Sequence, residues 1–360
     1  MGDDAQREAG PREVRIWVVG LGTVGRWVVR AVSENADALA ARYGTFFSVV
    51  GVATGRGGFA GSADGLDVTE AIRIAEAGSG LAELSGANHW AEALDGMHDT
   101  DADVLVETAA SPPEGEPGAA HMREAIRRGI PVVTSNKWPA ARFGAELEAL
   151  ARDHGVAFRA ESTVMSGTPL LGSLTEGLAG ATPLRLRGVV NATANSILTD
   201  MALGASYEKA LAAAQAAGLA EPDPSADVDG HDSEAKAMIL SALVFGHGFE
   251  LGEVDRRGIS ELTPAEEDAL ASGGCVREVT SLEFEGPGGT RAATARVRPE
   301  IIAADDPLAA INGTMNCVVV NADPLGEVRI AGPGAGPALA GQGVLSDLIR
   351  VACDLRSSGT

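Results

Sequence analysis

Lysine is almost missing from this chain. Only Lys137, Lys209 and Lys236 occur in 360 residues. Positive charge of any kind is scarce: 28 Lys and Arg face 50 Asp and Glu, for a formal net charge of -22. So acidic a surface repels polyanions, so neither nucleic acid nor an anionic membrane is an expected partner. No apolar run approaches the length of a membrane-spanning helix. The charged stretch Met1–Glu8 lacks the apolar segment of a secretory signal and reads as a short lead-in. Cysteine is down to three residues, Cys275, Cys317 and Cys353, too far apart for a disulfide framework or a paired-thiol metal site. A reducing, cytoplasmic setting fits. Few lysines and many acids are what a salt-rich cytoplasm favours, since salt screens the self-repulsion. A GC-rich genome alone would explain the missing lysines but not the excess of acid.

What is present is ample apolar content, 45% of residues, and a length that suits two domains. The first 160 residues alternate apolar runs with amphipathic stretches, the pattern of a parallel sheet with crossover helices. Strands are expected at Val14–Val19, Phe46–Ala53, Val104–Glu107, Pro131–Ser135 and Ala157–Glu161. Helices are expected near 24–39, 119–128 and 138–154, whereas 57–100 is hard to divide. From about 162 the character changes. Ala-rich helices fall near 170–179, 207–217 and 233–247. Strands at Glu278–Glu285 and Thr290–Val297 are joined by Gly286-Pro287-Gly288-Gly289. A strand at Asn316–Asn321 and a last helix to Asp354 follow. The expected organisation is a nucleotide-binding domain over 1–160, an α+β substrate and dimerisation domain over 161–320, and a segment 321–360 returning to the first domain.

Gly20-Leu21-Gly22-Thr23-Val24-Gly25 is a G-x-G-x-x-G pattern between a strand and a helix. Gly20 permits a tight turn, Gly22 lets a pyrophosphate approach the backbone, and Gly25 lets helix pack on strand. The helix start at Thr23 and Val24 supplies N–H donors. The fold class is therefore α/β, a Rossmann-type doubly wound parallel sheet plus the α+β domain. The second strand ends in Thr54-Gly55-Arg56 rather than an acid, which favours NADP over NAD, with Arg56 at the 2′-phosphate. The competing reading makes Arg56 a solvated surface base and allows both cofactors.

The segment 221–236, E-P-D-P-S-A-D-V-D-G-H-D-S-E-A-K, begins with helix-breaking prolines and then enters an almost wholly apolar helix. Asp232 and Lys236 lie four apart, on one helix face. A lysine entering such a helix needs a partner, and Asp232 or Glu221 would tune it for proton transfer. An ordinary surface ion pair is the plainer alternative. A chain that keeps only three lysines and places one here and one in Thr134-Ser135-Asn136-Lys137 argues against it, since arginine cannot donate a proton near neutral pH. Lys137 follows a strand at the carboxyl end where doubly wound sheets bind ligands. Lys209 reads as a solvated base.

These segments, together with A-E-S-T-V-M-S-G-T-P at 160–169, G-V-V-N-A-T-A-N-S-I-L at 188–198, D-P-L-A-A-I-N-G-T-M-N at 306–316 and G-P-G-A-G at 332–336, resemble the homoserine dehydrogenases over roughly residues 14–354. The resemblance implies a homodimeric, NAD(P)-dependent oxidoreductase that interconverts L-homoserine and L-aspartate 4-semialdehyde in amino-acid biosynthesis. It makes Lys236, Asp232 and Lys137 catalytic, either lysine being the proton donor. It gives Glu221 the substrate ammonium, with Asp227, Asn191 and Thr193 in the same pocket. Thr108, Ala109, Lys137 and Gly334 join the glycine loop at the cofactor. The backbone of Glu161, Val164, Ser166 and Thr168 would hold Na+ or K+. The chain departs from the family's N-G-T-T-N pattern at Ala192 and Ala194, so a different small amino-acid alcohol or aldehyde is the alternative substrate. It ends at Thr360, before the regulatory domain of longer relatives, so threonine feedback through such a domain is not expected. An aspartate-semialdehyde dehydrogenase would need a nucleophilic cysteine motif, which is lacking. A cofactor sensor without catalysis would not need the lysines and their acids.

Overall fold

A computed structural model describes residues 10–55, 57–90, 92–285 and 291–358. The expected Gly286–Gly289 turn and Arg56 lie outside the described residues. Two compact units result. One comprises residues up to Pro139 with Glu146–Ser162 and the stretch from Ala340; the other comprises Ala140–Ala145 and Thr163–Leu339. The chain thus re-enters the first unit at Ala340, where the sequence reading set the return at 321.

The first unit alternates strands and helices: β1 (Arg12–Val19), α1 (Thr23–Glu34), α2 (Ala36–Tyr43), β2 (Thr45–Thr54), β3 (Gly58–Gly61), α3 (Val68–Glu76), β4 (Asn88–Trp90), α4 (Ala93–Asp99), β5 (Val104–Glu107), α5 (Gly118–Arg127), β6 (Val132–Thr134), α6 (Lys137–Asp153) and β7 (Phe158–Arg159). The sheet order is β4-β3-β2-β1-β5-β6-β7, parallel from β2 to β7 with β3 and β4 antiparallel at one edge. This is the expected doubly wound sheet. Its strand order reverses between β1 and β5, where such sheets open a ligand crevice. Apolar strands pack on helix faces: Val14, Ile16 and Val18 of β1 bury against Val28, Val29 and Val32 of α1. The expected single helix over 24–39 is instead two. The Asn35 side chain donates to Ala31 O at 2.8 Å and its backbone leaves helical geometry, a local competition typical of Asn.

The junction helix α7 (Ser162–Met165) leads into the second unit, which holds β8 (Thr182–Val189), α8 (Ala192–Ala202), α9 (Tyr207–Ala216), α10 (Ser225–Val228), α11 (His231–Phe245), β9 (Asp255–Arg256), α12 (Pro264–Ala271), β10 (Cys275–Glu285), β11 (Arg291–Ile302), β12 (Met315–Asp323) and β13 (Gly326–Pro333). The final helix α13 (Pro337–Ser358) completes the first unit. The second sheet has the order β13-β12-β8-β10-β11-β9, antiparallel except for the β11–β9 pair. Helix α11 is buried along nearly its whole length, as its apolar run requires. Both β8 and β13 were absent from the sequence expectation.

Candidate active site

The first unit builds a nucleotide cradle at the β1–β5 switch point. Gly20 has φ +97°, and a Cβ there would sit 2.4 Å from Ala109 N. A Cβ on Gly25 would sit 2.0 Å from Gly20 O, so the helix lies against the turn only because that position is bare. Gly22 has nothing within 4 Å of a Cβ and caps α1 without a side-chain hydrogen bond. An open approach to an uncapped helix N-terminus is what a pyrophosphate needs. Thr23 and Val24 form the first turn of that helix. From β5, Thr108 Oγ1 donates to Gly20 O at 2.6 Å and its amide to Val19 O at 2.7 Å, tying the second loop to the glycine loop. Ala109 N donates to the buried Glu107 carboxylate at 3.0 Å, whose other oxygen meets His121 Nδ1 at 2.9 Å. The Glu107–His121 support was not anticipated from the sequence. At the end of β2, Thr54 Oγ1 accepts from Gly57 N at 2.8 Å.

Lys137 opens α6 and is exposed. The preceding Asn136 is fixed on both sides of its amide: Oδ1 accepts from Ser111 N at 3.2 Å, and Nδ2 donates to Ser111 Oγ at 2.7 Å. The loops after β5 and β6 thereby support one another within this unit.

In the second unit, Lys236 Nζ lies 2.7 Å from Asp232 Oδ2, with only 8% and 10% of the two side chains exposed. The i,i+4 spacing therefore makes a buried pair rather than a surface one. Nζ also donates to Val190 O at 2.6 Å, and Asn316 Nδ2 donates to the same oxygen at 3.0 Å. Asn191 bridges two acids: its Nδ2 donates to Asp227 Oδ1 at 2.9 Å and reaches Asp232 Oδ2 at 3.4 Å. Its Oδ1 accepts from Ala194 N and so caps α8. Ala192 and Ala194 are buried first-turn residues of α8, a place where alanine is well tolerated. The two departures from the family pattern therefore sit in a helix start that Asn191 still organises.

Thr193 and Glu221 stand apart from this cluster. Thr193 Oγ1 donates to Leu219 O at 3.0 Å, anchoring the loop ahead of Glu221. The Glu221 side chain is exposed, and its carbonyl accepts from Gln215 Nε2 at 3.1 Å. Gly334 packs against the Asn316 side chain, since a Cβ would meet its Cγ at 2.2 Å, and Gly334 O accepts from Ser166 Oγ at 2.9 Å. Along 161–168, Glu161 and Val164 are buried and Ser166 adopts φ +54°. Thr168 Oγ1 donates to Pro333 O at 3.2 Å.

The sequence reading also missed Glu278 on β10. It is buried, and its Oε1 accepts from Ser233 Oγ at 2.5 Å. Burial pushes its carboxyl up to about 8, the Ser233 bond opposing and Asp232 and Asp227 adding to the rise. The signal was legible in principle: Glu278 occupies a strand position whose same-face neighbours Val276, Thr280 and Leu282 are all core.

Known proteins align with this architecture throughout. Residues 20–161 match the family described as "Homoserine dehydrogenase, NAD binding domain", and residues 169–349 match "Homoserine dehydrogenase". The "NAD(+)-dependent homoserine dehydrogenase" of Pseudomonas canavaninivorans is 34% identical over 94% of this chain and 96% of its own length. The "Homoserine dehydrogenase" of Methanocaldococcus jannaschii is 34% identical over 93% of this chain and 98% of its own. A solved structure, "Hyperthermophilic archaeal homoserine dehydrogenase in complex with NADPH", superposes with a TM-score of 0.80 at 31% identity, covering 95% of this chain and 98% of the other. The chain belongs to the homoserine dehydrogenase family of NAD(P)-dependent oxidoreductases.

Proposed function

We propose that the protein interconverts L-homoserine and L-aspartate 4-semialdehyde, with Lys236 and Lys137 as the proton-handling groups. The observation that carries this reading is the buried Asp232–Lys236 pair at 2.7 Å, an ionisable lysine held in a largely apolar helix. Gly20, Gly22, Thr23, Val24 and Gly25 would hold the dinucleotide phosphates, with Thr108, Ala109, Lys137 and Gly334 toward the nicotinamide. When bound, the nicotinamide supplies or accepts the hydride. The lysines do the rest. In reduction, negative charge develops on the aldehyde oxygen, and a lysine ammonium stabilises it and gives the proton; in oxidation the neutral amine takes that proton back. Asp232 holds the Lys236 ammonium in place, and Asn191, anchored on Asp227, donates to Asp232 in turn. Exposed Glu221 is available to the substrate α-ammonium, and Thr193 supports its loop.

Cofactor choice follows the end of β2. Thr54-Gly55-Arg56 offers no acid for a ribose hydroxyl, so NADP is the preferred cofactor with NAD also accepted. The Glu161, Val164, Ser166 and Thr168 carbonyls would take Na+ or K+. A homodimer forms through the second unit's sheet, whose strands carry the exposed Leu184, Ile301 and Met315. The setting is cytoplasmic and salt-rich, and the reaction serves aspartate-derived threonine and methionine synthesis.

Lys236→Met and Lys137→Met separate the roles. Homoserine oxidation is followed by cofactor absorbance with NADP and then NAD. Each variant loses on the order of a hundredfold or more in kcat. A folded, cofactor-binding Lys236→Met enzyme that turns over at the wild-type rate overturns the assignment.

A further inference from the structure

The second unit buries an acid that the proton transfer does not use directly. Glu278 projects from β10 toward the start of α11, where Ser233 donates to its Oε1 at 2.5 Å. Its Oε2 is buried and has no hydrogen-bond partner among the described residues. That oxygen lies against Gly230, the left-handed residue before α11, where an added Cβ would stand 3.5 Å from it. Asp227 faces Glu278 from α10, and Asp232 and Lys236 face it from α11. From β9, the Arg256 stem lines the other side of Gly230, but its guanidinium is engaged by Glu234 at 3.0 Å and by Asp229 O. Val297 of β11 closes the apolar side.

We propose that Glu278 is a positioning residue for the Asp232–Lys236 pair, acting through Ser233 on the first turn of α11. The inference rests on the reading of Lys236 given above. Glu278 does this as a neutral acid. A fully buried anion beside Asp227 and Asp232 would carry a large desolvation cost on top of like-charge repulsion. Ionisation of Glu278 adds negative charge beside Lys236. It also repels Asp232 across Ser233 and so disturbs the pair. The acid thus sets the geometry of the pair, and that geometry holds while the acid is neutral.

The pH dependence of kcat for homoserine oxidation, measured on the full-length enzyme, tests this. Glu278→Ala loses about tenfold or more in kcat at neutral pH, because the turn bearing Asp232 is released. Glu278→Gln, which keeps the shape and an acceptor for Ser233, restores most of that loss. The wild-type profile carries an ionisation near 8 that Glu278→Gln lacks. Ser233→Ala removes the bond that favours the ionised form and moves that ionisation to higher pH. Superimposable profiles for wild type and Glu278→Gln overturn the proposal, and this comparison stands even where the Ala variant does not fold. Lys236→Met is assayed in parallel. If it retains wild-type turnover, the reading of Lys236 fails; if it is inactive while Glu278→Gln overlays wild type, only the role of Glu278 fails.

Discussion

At the scale of single residues, the Asp232–Lys236 pair separates two magnitudes. An exposed i,i+4 pair contributes a few tenths of a kcal/mol, whereas removing one partner of a buried pair strands the other charge and costs about 3–5 kcal/mol. With both side chains about nine-tenths covered, the second regime applies. Denaturant unfolding of Asp232→Leu, Lys236→Met and the double variant checks it. Each single change lowers stability by about 3 kcal/mol or more, and the double change recovers most of the loss because no orphan charge remains. Single changes worth only tenths would place the pair in solvent. Scarcity made this lysine stand out in the sequence. Its bond to Val190 O was not legible, since that is a backbone atom, nor was the Asn316 amide, 80 residues away, that donates to the same oxygen.

At the scale of elements, legibility followed the exposure of each strand. The buried parallel strands β1, β5 and β6 read directly as apolar runs bounded by glycine and polar turns. Strand β8 did not, although it is central to its sheet. Its Arg187 is neutralised by Glu300 and Asp306, both at 2.9 Å, and Arg185 faces Glu283, so its charges disguise a paired strand as a loop. Strand β13 lies at the sheet edge with mostly solvated side chains and gave no periodicity. The return helix α13 conceals another acid. Asp347 is buried, accepts from Glu161 N at 2.9 Å, and is pushed by burial from 3.8 to about 7, with Glu161 adding to the rise and Arg159 and Arg350 opposing it. A folded-state value above the unfolded one means the native protein binds the proton more tightly. Stability from this group is therefore fully present below the unfolded value and is lost as pH rises toward about 7. Asp347→Asn keeps an acceptor for the Glu161 amide but cannot ionise. Its unfolding free energy falls less between pH 4 and pH 7 than that of the wild type. Parallel stability curves for the two proteins would show that Asp347 ionises freely in the fold.

At the scale of the whole molecule, the charge imbalance has a direct thermodynamic consequence. Many arginines are committed to local acids: Arg123 lies between Glu116 and Glu146, and Arg257 grips Glu266 at 2.6 Å. Paired this way, they leave the excess of acid uncompensated, and a net charge of -22 repels itself more in the folded state than in the expanded chain. Salt shortens the range of that repulsion, with a Debye length of about 10 Å at 0.1 M and about 3 Å at 1 M. Screening also weakens the exposed ion pairs, but each contributes at most about 1 kcal/mol, and 50 acids face only 28 Lys and Arg. Repulsion is therefore the larger effect, and the midpoint of thermal unfolding rises as sodium chloride goes from dilute to molar. Chloride is the informative anion, because sulfate stabilises proteins generally through surface exclusion. The same titration with sucrose separates screening from exclusion: sucrose stabilises without a charge effect. A midpoint that is flat or falls with chloride would mean that the local arginine pairs, rather than the surplus acids, govern the electrostatic stability of the fold.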